Sequence, residues 1–355
     1  MNGRILFSIF ASILLFACSS DDQSSTENDA PKGLEFEIKA ATQLQTKAGS
    51  PVYSQDATQS VTRVSVLAFR SDGTNFLYVK TYDISGWSAG TNFKRYPVAD
   101  VDKLPAGNYK FLAIGRDATD LYQLMPATLT VGTTKIEDVT ASITNSGDEY
   151  EIFAGSTQAD VLAQGTRVSI TMTRKIAGIL GYFKNVPQML DGKTVKFLRL
   201  TASQGNKQVN LVSGLGSTAA TTYNIFNMDL SGQPVQNEMY TGNDLSGVGV
   251  VKLANSQLSG AYLIPVGGVT LTLGLYDASN VAIKTWSVKD ANSTTFNILA
   301  NNFYSLGVKQ KANSTTGTDP NDPGDDDSAI DLLQDQTITI TIDPAWNTIH
   351  PLVIQ

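Results

Sequence analysis

Cys18 and His350 are the only cysteine and the only histidine in a chain of 355 residues. They limit the available chemistry. A structural zinc site uses about four Cys or His ligands, and an intrachain disulfide needs two cysteines; neither can be built here. Cys–His nucleophilic catalysis would require residues from opposite ends of the chain to meet. Gly86-Trp87-Ser88-Ala89-Gly90 has the spacing of a nucleophile elbow, with His350 downstream as a base. An elbow needs strand, turn and helix. The following Thr91-Asn92-Phe93-Lys94-Arg95-Tyr96-Pro97 has no helical pattern, so the segment reads as a turn. Gly214-Leu215-Gly216-Ser217-Thr218-Ala219 has the spacing of a dinucleotide fingerprint, but it runs into the β-type Thr221–Phe226. Asp191-Gly192-Lys193-Thr194 ends like a P-loop whose earlier glycine is Pro187. Any two of 33 acidic residues could converge as in glycosidases, and nothing singles out a pair. No catalytic residue, metal site or cofactor is expected.

Cys18 fits a different chemistry. Arg4 precedes an apolar stretch from Ile5 to Ala17. About 13 apolar residues are too few to span a bilayer and suit a signal-peptide core. Leu15-Phe16-Ala17-Cys18 resembles a bacterial lipobox, in which a thiolate takes a diacylglyceryl group and a small residue precedes the cut. The alternative is a plain secretory signal with an incidental cysteine. Residues 19–29 are polar and acidic, a tether expected to be disordered. No later segment reaches about 18 uninterrupted apolar residues, so the lipid would be the membrane attachment. The whole chain is acidic, with 26 Lys+Arg against 33 Asp+Glu and a net charge of −7. Without a basic stripe, nucleic acid is not expected as a partner.

The remaining chain reads as strand after strand. Leu34, Phe36 and Ile38 alternate with Glu35, Glu37 and Lys39, which gives one dry face. Val61–Phe69, Phe76–Tyr82, Tyr109–Gly115, Ala127–Val131, Tyr150–Ala154 and Val168–Met172 follow as strands. Asp117–Met125 is the best short helical candidate. A second series runs through Ile176–Phe183, Val195–Leu200, Gln208–Val212, Tyr223–Leu230, Val248–Leu253, Val269–Leu275, Val281–Val288 and Phe303–Lys309. No amphipathic run of about 12 residues keeps helical spacing. The expected fold is therefore all-β, two β-sandwich domains in tandem after the signal peptide. The expected division is signal peptide 1–17, tether 18–32, first domain 33–165 and second domain 166–355. Residues 311–327 contain no core side chain and read as an acidic linker. Their acids do not match a calcium loop. Residues 337–355 then supply terminal strand segments, led by the strict alternation Thr337-Ile338-Thr339-Ile340-Thr341-Ile342.

Leu104-Pro105-Ala106-Gly107-Asn108-Tyr109-Lys110-Phe111, Met172-Thr173-Arg174-Lys175-Ile176-Ala177, Asn301-Asn302-Phe303-Tyr304-Ser305-Leu306-Gly307 and the ending Ile338 to His350 stand out as a set. Together they resemble the fimbrillin superfamily of Bacteroidetes fimbriae, the type V pilus subunits. The ending is most similar to the FimB-type fimbrial anchor lipoproteins. The acidic residues behind Cys18 resemble the surface-export signal of lipoproteins from the same bacteria. The resemblance implies transthyretin-like sandwiches and no enzymatic activity. It also implies assembly with other fimbrial subunits by strand exchange, in which one subunit's strand fills another's groove. Ile338, Ile340 and Ile342 have the period for such insertion, and Trp346, Ile349 and Leu352 could extend it. The other reading is that 337–355 completes the second domain's own sheet.

In the family's polymerising subunits a trypsin-like protease removes the first strand, usually after Arg. Here Leu34–Ala48 resembles that strand and Lys47 is the candidate cleavage point, because no Arg lies between Arg4 and Arg63. The departure favours a retained strand. The expected protein is a lipid-anchored fimbrial subunit of the outer-membrane surface, held by Cys18, of anchor or accessory type. A shaft or tip fimbrillin cleaved near Lys47 is one alternative. A surface glycan-binding lipoprotein is another, with Trp87 and Tyr96 as its suggestive aromatic neighbours.

Overall fold

The structure, a computed structural model, describes residues 31–40, 46–47, 50–51, 61–118, 121–145, 147–220, 222–231, 235–236, 241–242, 245–246, 250–251, 258–290, 293–307, 330–332 and 338–343. The first half contains β1 (Leu34–Ala40), β2 (Arg63–Ser71), β3 (Phe76–Ile84), β4 (Phe93–Pro97) and β5 (Gly107–Arg116), then β6 (Gln123–Met125), β7 (Thr140–Ser142), β8 (Ile152–Val161) and β9 (Thr166–Arg174). A seven-stranded sheet joins them in the order β3-β2-β5-β8-β9-β1-β4. Alternation along β1 buries Leu34, Phe36, Ile38 and Ala40. β2 and β5 read as nearly continuous apolar runs because both of their faces are covered. Val66, Ala68, Phe111 and Ala113 join β1 in one core. Leu67, Phe69, Leu112 and Ile114 point the other way into a second core. The sheet also curls. Phe36 meets Tyr82 of β3 edge-on at 5.1 Å between ring centroids, although β1 and β3 stand far apart in strand order.

The second half contains β10 (Ala177–Lys184), β11 (Phe197–Ala202), β12 (Gly205–Asn210), β13 (Gly216–Ala220) and β14 (Tyr223–Asp229), then β15 (Leu258–Leu263), β16 (Leu271–Tyr276), β17 (Ala282–Lys289), β18 (Phe303–Leu306) and β19 (Ile338–Asp343). Its main sheet runs β14-β11-β16-β17-β19-β18-β10-β15, with Ile330–Asp331 beside β10. Leu198, Leu200, Leu271, Leu273 and Leu275 anchor its core.

A smaller sheet, β13-β12-β7-β6, takes strands from both halves. Val209 stands opposite Ala141, and Asn210 opposite Thr140. The second core continues across this joint with Ile176, Leu180, Val209, Tyr262 and Phe303. The halves therefore meet through an apolar core.

The all-β expectation holds. Among the described residues there is no α-helix, only the 3-10 turns Asp100–Asp102 and Ile136–Asp138. Three local expectations are corrected. The helical candidate 117–125 contains β6, because Gln123, Leu124 and Met125 pair with Ser142, Ala141 and Thr140. Tertiary pairing outweighs local propensity there. The stretch 127–131 is not a strand. It leads into a turn closed by the Thr133 and Thr134 amides donating to the Thr130 carbonyl, and the Gly132 amide donates to Tyr78 of β3. The division at 165/166 cuts through a sheet. β9 pairs with β8 and runs parallel to β1, so the main sheets part between Arg174 and Ala177.

Candidate functional site

Strand complementation uses a strand seated between two others. β1 and β19, near the two ends of the described chain, are seated in that way. β1 runs parallel to β9, from Leu34 opposite Thr166 to Ala40 opposite Met172. On its other side it is antiparallel to β4, from Glu35 opposite Pro97 to Lys39 opposite Phe93. Its dry face fills the first core. Its wet face is acidic, and its neighbours supply bases. Arg167 Nε of β9 donates to Glu35 Oε1 at 2.6 Å, and Arg95 of β4 reaches Glu37 Oε2 at 3.4 Å. Ser169 Oγ donates to Glu37 Oε1 at 3.2 Å, and Lys39 Nζ lies 3.3 Å from the same oxygen. Burial pushes the Glu37 carboxyl up, but the bonds from Lys39, Ser169 and Arg95 outweigh it and hold its pKa below the ordinary value. The β8–β9 turn fits closely over the strand's entrance. Gly165 has φ +128°, and a Cβ there would run into the Pro31 carbonyl.

Lys47 lies beyond the end of β1. It belongs to the two-residue strand Thr46–Lys47, opposite Ser50 of Ser50–Pro51. β19 sits between β17, to which it is parallel, and β18, to which it is antiparallel. Ile338 and Ile340 are 1% and 3% exposed in the second sheet's core, and Ile342 packs against it. This chain's own core therefore receives all three isoleucines. Cys18, Trp346, Ile349, Leu352, His350 and the linker 311–327 lie outside the described residues.

The other sequence patterns resolve into turns. Ser88 Oγ lies 3.0 Å from Thr91 Oγ1, with no helix following. Asn210 Oδ1 accepts hydrogen bonds from the Val212 and Ser213 amides, so Gly214 belongs to the β12–β13 turn, and Gly216 opens β13 opposite Val209. Asp191 and Gly192 both have positive φ in the turn between Met189–Leu190 and Lys193–Thr194. Trp87 is 6% exposed in the first core, and Tyr96 packs against that core. They form no exposed aromatic platform, which corrects the feature offered for glycan binding.

One polar cluster has no motif to announce it. At the joint between the halves, Arg174 Nε donates to Glu151 Oε1 at 2.5 Å, with both side chains buried. The guanidinium lies over the Phe153 ring at 4.8 Å. Nearby, Tyr223 of β14 hydrogen-bonds Glu149, and the Gly147 amide donates to the same carboxylate at 2.7 Å. Burial pushes Glu149 up, against the lowering effect of those bonds. A weaker signal was present in the sequence. Val168, Ile170, Met172 and Arg174 share the inward register of β9, so a charged residue stands where an apolar one is expected.

A family model described as "Fimbrillin-A associated anchor proteins Mfa1 and Mfa2" matches residues 27–350. No curated protein sequence matches the chain. Among solved structures, the fimbrial anchor protein Mfa2 from Porphyromonas gingivalis is 13% identical, with TM-score 0.39 over 77% of this chain and 90% of that one. A candidate adhesin from Bacteroides thetaiotaomicron is 17% identical, with TM-score 0.42 over 73% and 81%. A candidate cell adhesion protein from Bacteroides eggerthii is 14% identical, with TM-score 0.42 over 89% and 96%. No helix among the described residues is long and apolar enough to cross a membrane.

Proposed function

The chain belongs to the family of fimbrillin-A associated anchor proteins, and on that premise we propose that it is an anchor-type fimbrial subunit tied to the outer membrane by a lipid on Cys18. A fimbrial or adhesin-type surface role comes with the family. The lipid, the anchor position and the mode of assembly are the proposal. The acidic residues behind Cys18 form its tether, and the β-rich body is a spacer between membrane and fimbrium.

The seating of β1 supports the anchor reading over a shaft subunit. A strand with a buried face and ion pairs to both neighbours is costly to remove. No arginine lies between β1 and Arg63 at the start of β2, so a cut near Lys47 is the one that would release the strand. β19 supports a division of labour at the other end. Ile338, Ile340 and Ile342 complete this chain's sheet, and Trp346, Ile349 and Leu352 make the contact with the neighbouring subunit.

Mass spectrometry of sheared surface material tests the reading. The expected mature chain begins at a diacylated Cys18. A mature N-terminus at Ala48 with no acylated cysteine would overturn the anchor assignment and establish a processed shaft or tip subunit.

A further inference from the structure

The outer face of the second sheet carries an aromatic and cationic surface that the anchor role leaves unused. On β11, Leu198, Leu200 and Ala202 turn into the core, so Phe197 and Arg199 turn outward. Phe197 stands opposite Tyr276 of β16, and Arg199 stands between Gly274 of β16 and Asn227 of β14. Gly274 gives the tyrosine its seat. A Cβ there would lie 2.7 Å from the Tyr276 ring, so the missing side chain lets the ring lean across the strand. The Arg199 guanidinium lies 4.5 Å from the centre of that ring and 5.8 Å from the Phe197 ring.

Neutral groups hold the guanidinium in place. Arg199 Nε donates to Asn227 Oδ1 at 3.1 Å, and Nη2 donates to Asn280 Oδ1 at 2.7 Å. Elsewhere Arg95, Arg167 and Arg174 meet the carboxylates of Glu37, Glu35 and Glu151. Asp229, opposite Phe197, is engaged by Lys196 at 3.3 Å, and Asp277, in the turn that carries Asn280, accepts the Ser279 and Val281 amides at Oδ1. Among the described residues no carboxylate is ion-paired with Arg199, so its positive charge is positioned there by neutral groups. Five donors sit on a planar fork, so N–H groups remain for a planar anion. The surroundings are partly exposed aromatic rings and exposed amides. Those groups suit a ring with hydroxyls better than a plain peptide carboxylate.

We propose that this face binds an acidic polysaccharide. A uronate-type carboxylate sits on Arg199, its sugar ring lies against Phe197 and Tyr276, and its hydroxyls bond to Asn227 and Asn280. The site does not depend on the anchor reading.

Affinity electrophoresis and calorimetry of the full chain test it, with polygalacturonate as the acidic probe and dextran as the neutral one. Retardation by polygalacturonate alone is expected. Arg199→Gln should weaken binding about tenfold or more, the scale of a lost charge-assisted bond. Arg199→Lys should do nearly as much, because it keeps the charge but loses the fork. Gly274→Ala removes no binding group and should also weaken binding, by lifting the Tyr276 ring. Thermal unfolding of each variant separates these effects from misfolding, and the lysine variant serves if the glutamine variant fails to fold. Absence of polygalacturonate binding, undiminished binding in a folded Arg199→Lys protein, or equal retardation by dextran would overturn the proposal. Displacement of polygalacturonate by a poly-aspartate peptide at equal carboxylate concentration would also overturn it, in favour of a peptide site.

Discussion

Glu37 and Glu149 are moved in opposite directions by the same fold. For Glu37, burial raises the pKa, but hydrogen bonds from Lys39, Ser169 and Arg95 more than offset it, so the folded value lies below 4.5. A depressed carboxyl contributes stability that is present above its unfolded pKa and lost as pH falls through the folded one. Glu149 is raised above 4.5, chiefly by burial. Its contribution is complete below the unfolded pKa and lost as pH rises through the folded one. Urea unfolding across a series from about pH 3 to pH 8 should therefore separate two variants. Glu37→Gln should flatten the acid limb, and Glu149→Gln should remove a loss at higher pH. Superimposable pH profiles for the two would refute the assignment. The Arg174–Glu151 pair calls for a third substitution. Arg174→Met leaves Glu151 buried without its cation, so a loss of about 3–5 kcal/mol is expected. In the double variant Arg174→Met with Glu151→Leu much of that loss should return, because replacing both charges by apolar groups removes the stranded one.

At the scale of elements, β1 shows how much was legible in the sequence. Its alternation alone identified the strand and its dry face, and burial of Leu34, Phe36, Ile38 and Ala40 agrees. Its slot was not legible. Period-2 patterning says which side is dry but not which strands lie alongside, and β1 pairs with β9, far away in sequence, in a parallel register. The same limit explains 117–125 and the boundary at 165/166, where long-range pairing decided the outcome. Gly155 illustrates a requirement that appears only in three dimensions. A Cβ there would strike the Thr171 carbonyl, so Gly155→Ala should pry β8 from β9 and lower stability more than an exposed substitution. Phe36→Ala tests the strand itself. Phe36 is fully buried and meets Tyr82 and Phe111 at 5.1 and 5.4 Å, so truncation should cost about 3–5 kcal/mol in chemical unfolding. A loss below about 1 kcal/mol would mean that β1 is only loosely held.

At the scale of the molecule, the two main sheets are joined by β7–β12 pairing and by a core built from both halves. Such a joint resists bending more than an exposed linker would, because rotation must expose apolar surface. That property suits the proposed role as a spacer. β19 lies inside the second sheet, with Ile338 and Ile340 in its core, so removing residues 337–355 deletes an interior strand. Truncation of 344–355 leaves β19 in place. The shorter truncation should therefore keep the cooperative unfolding transition while losing incorporation into fimbriae. The longer one should lower the transition itself. Immunogold labelling of sheared fimbriae, read beside calorimetry of each truncated protein, distinguishes these outcomes. Normal incorporation of the 344–355 truncation would move the partner contact away from Trp346, Ile349 and Leu352. A longer truncation that folds normally but fails to assemble would instead identify Ile338, Ile340 and Ile342 as a strand donated to the neighbour.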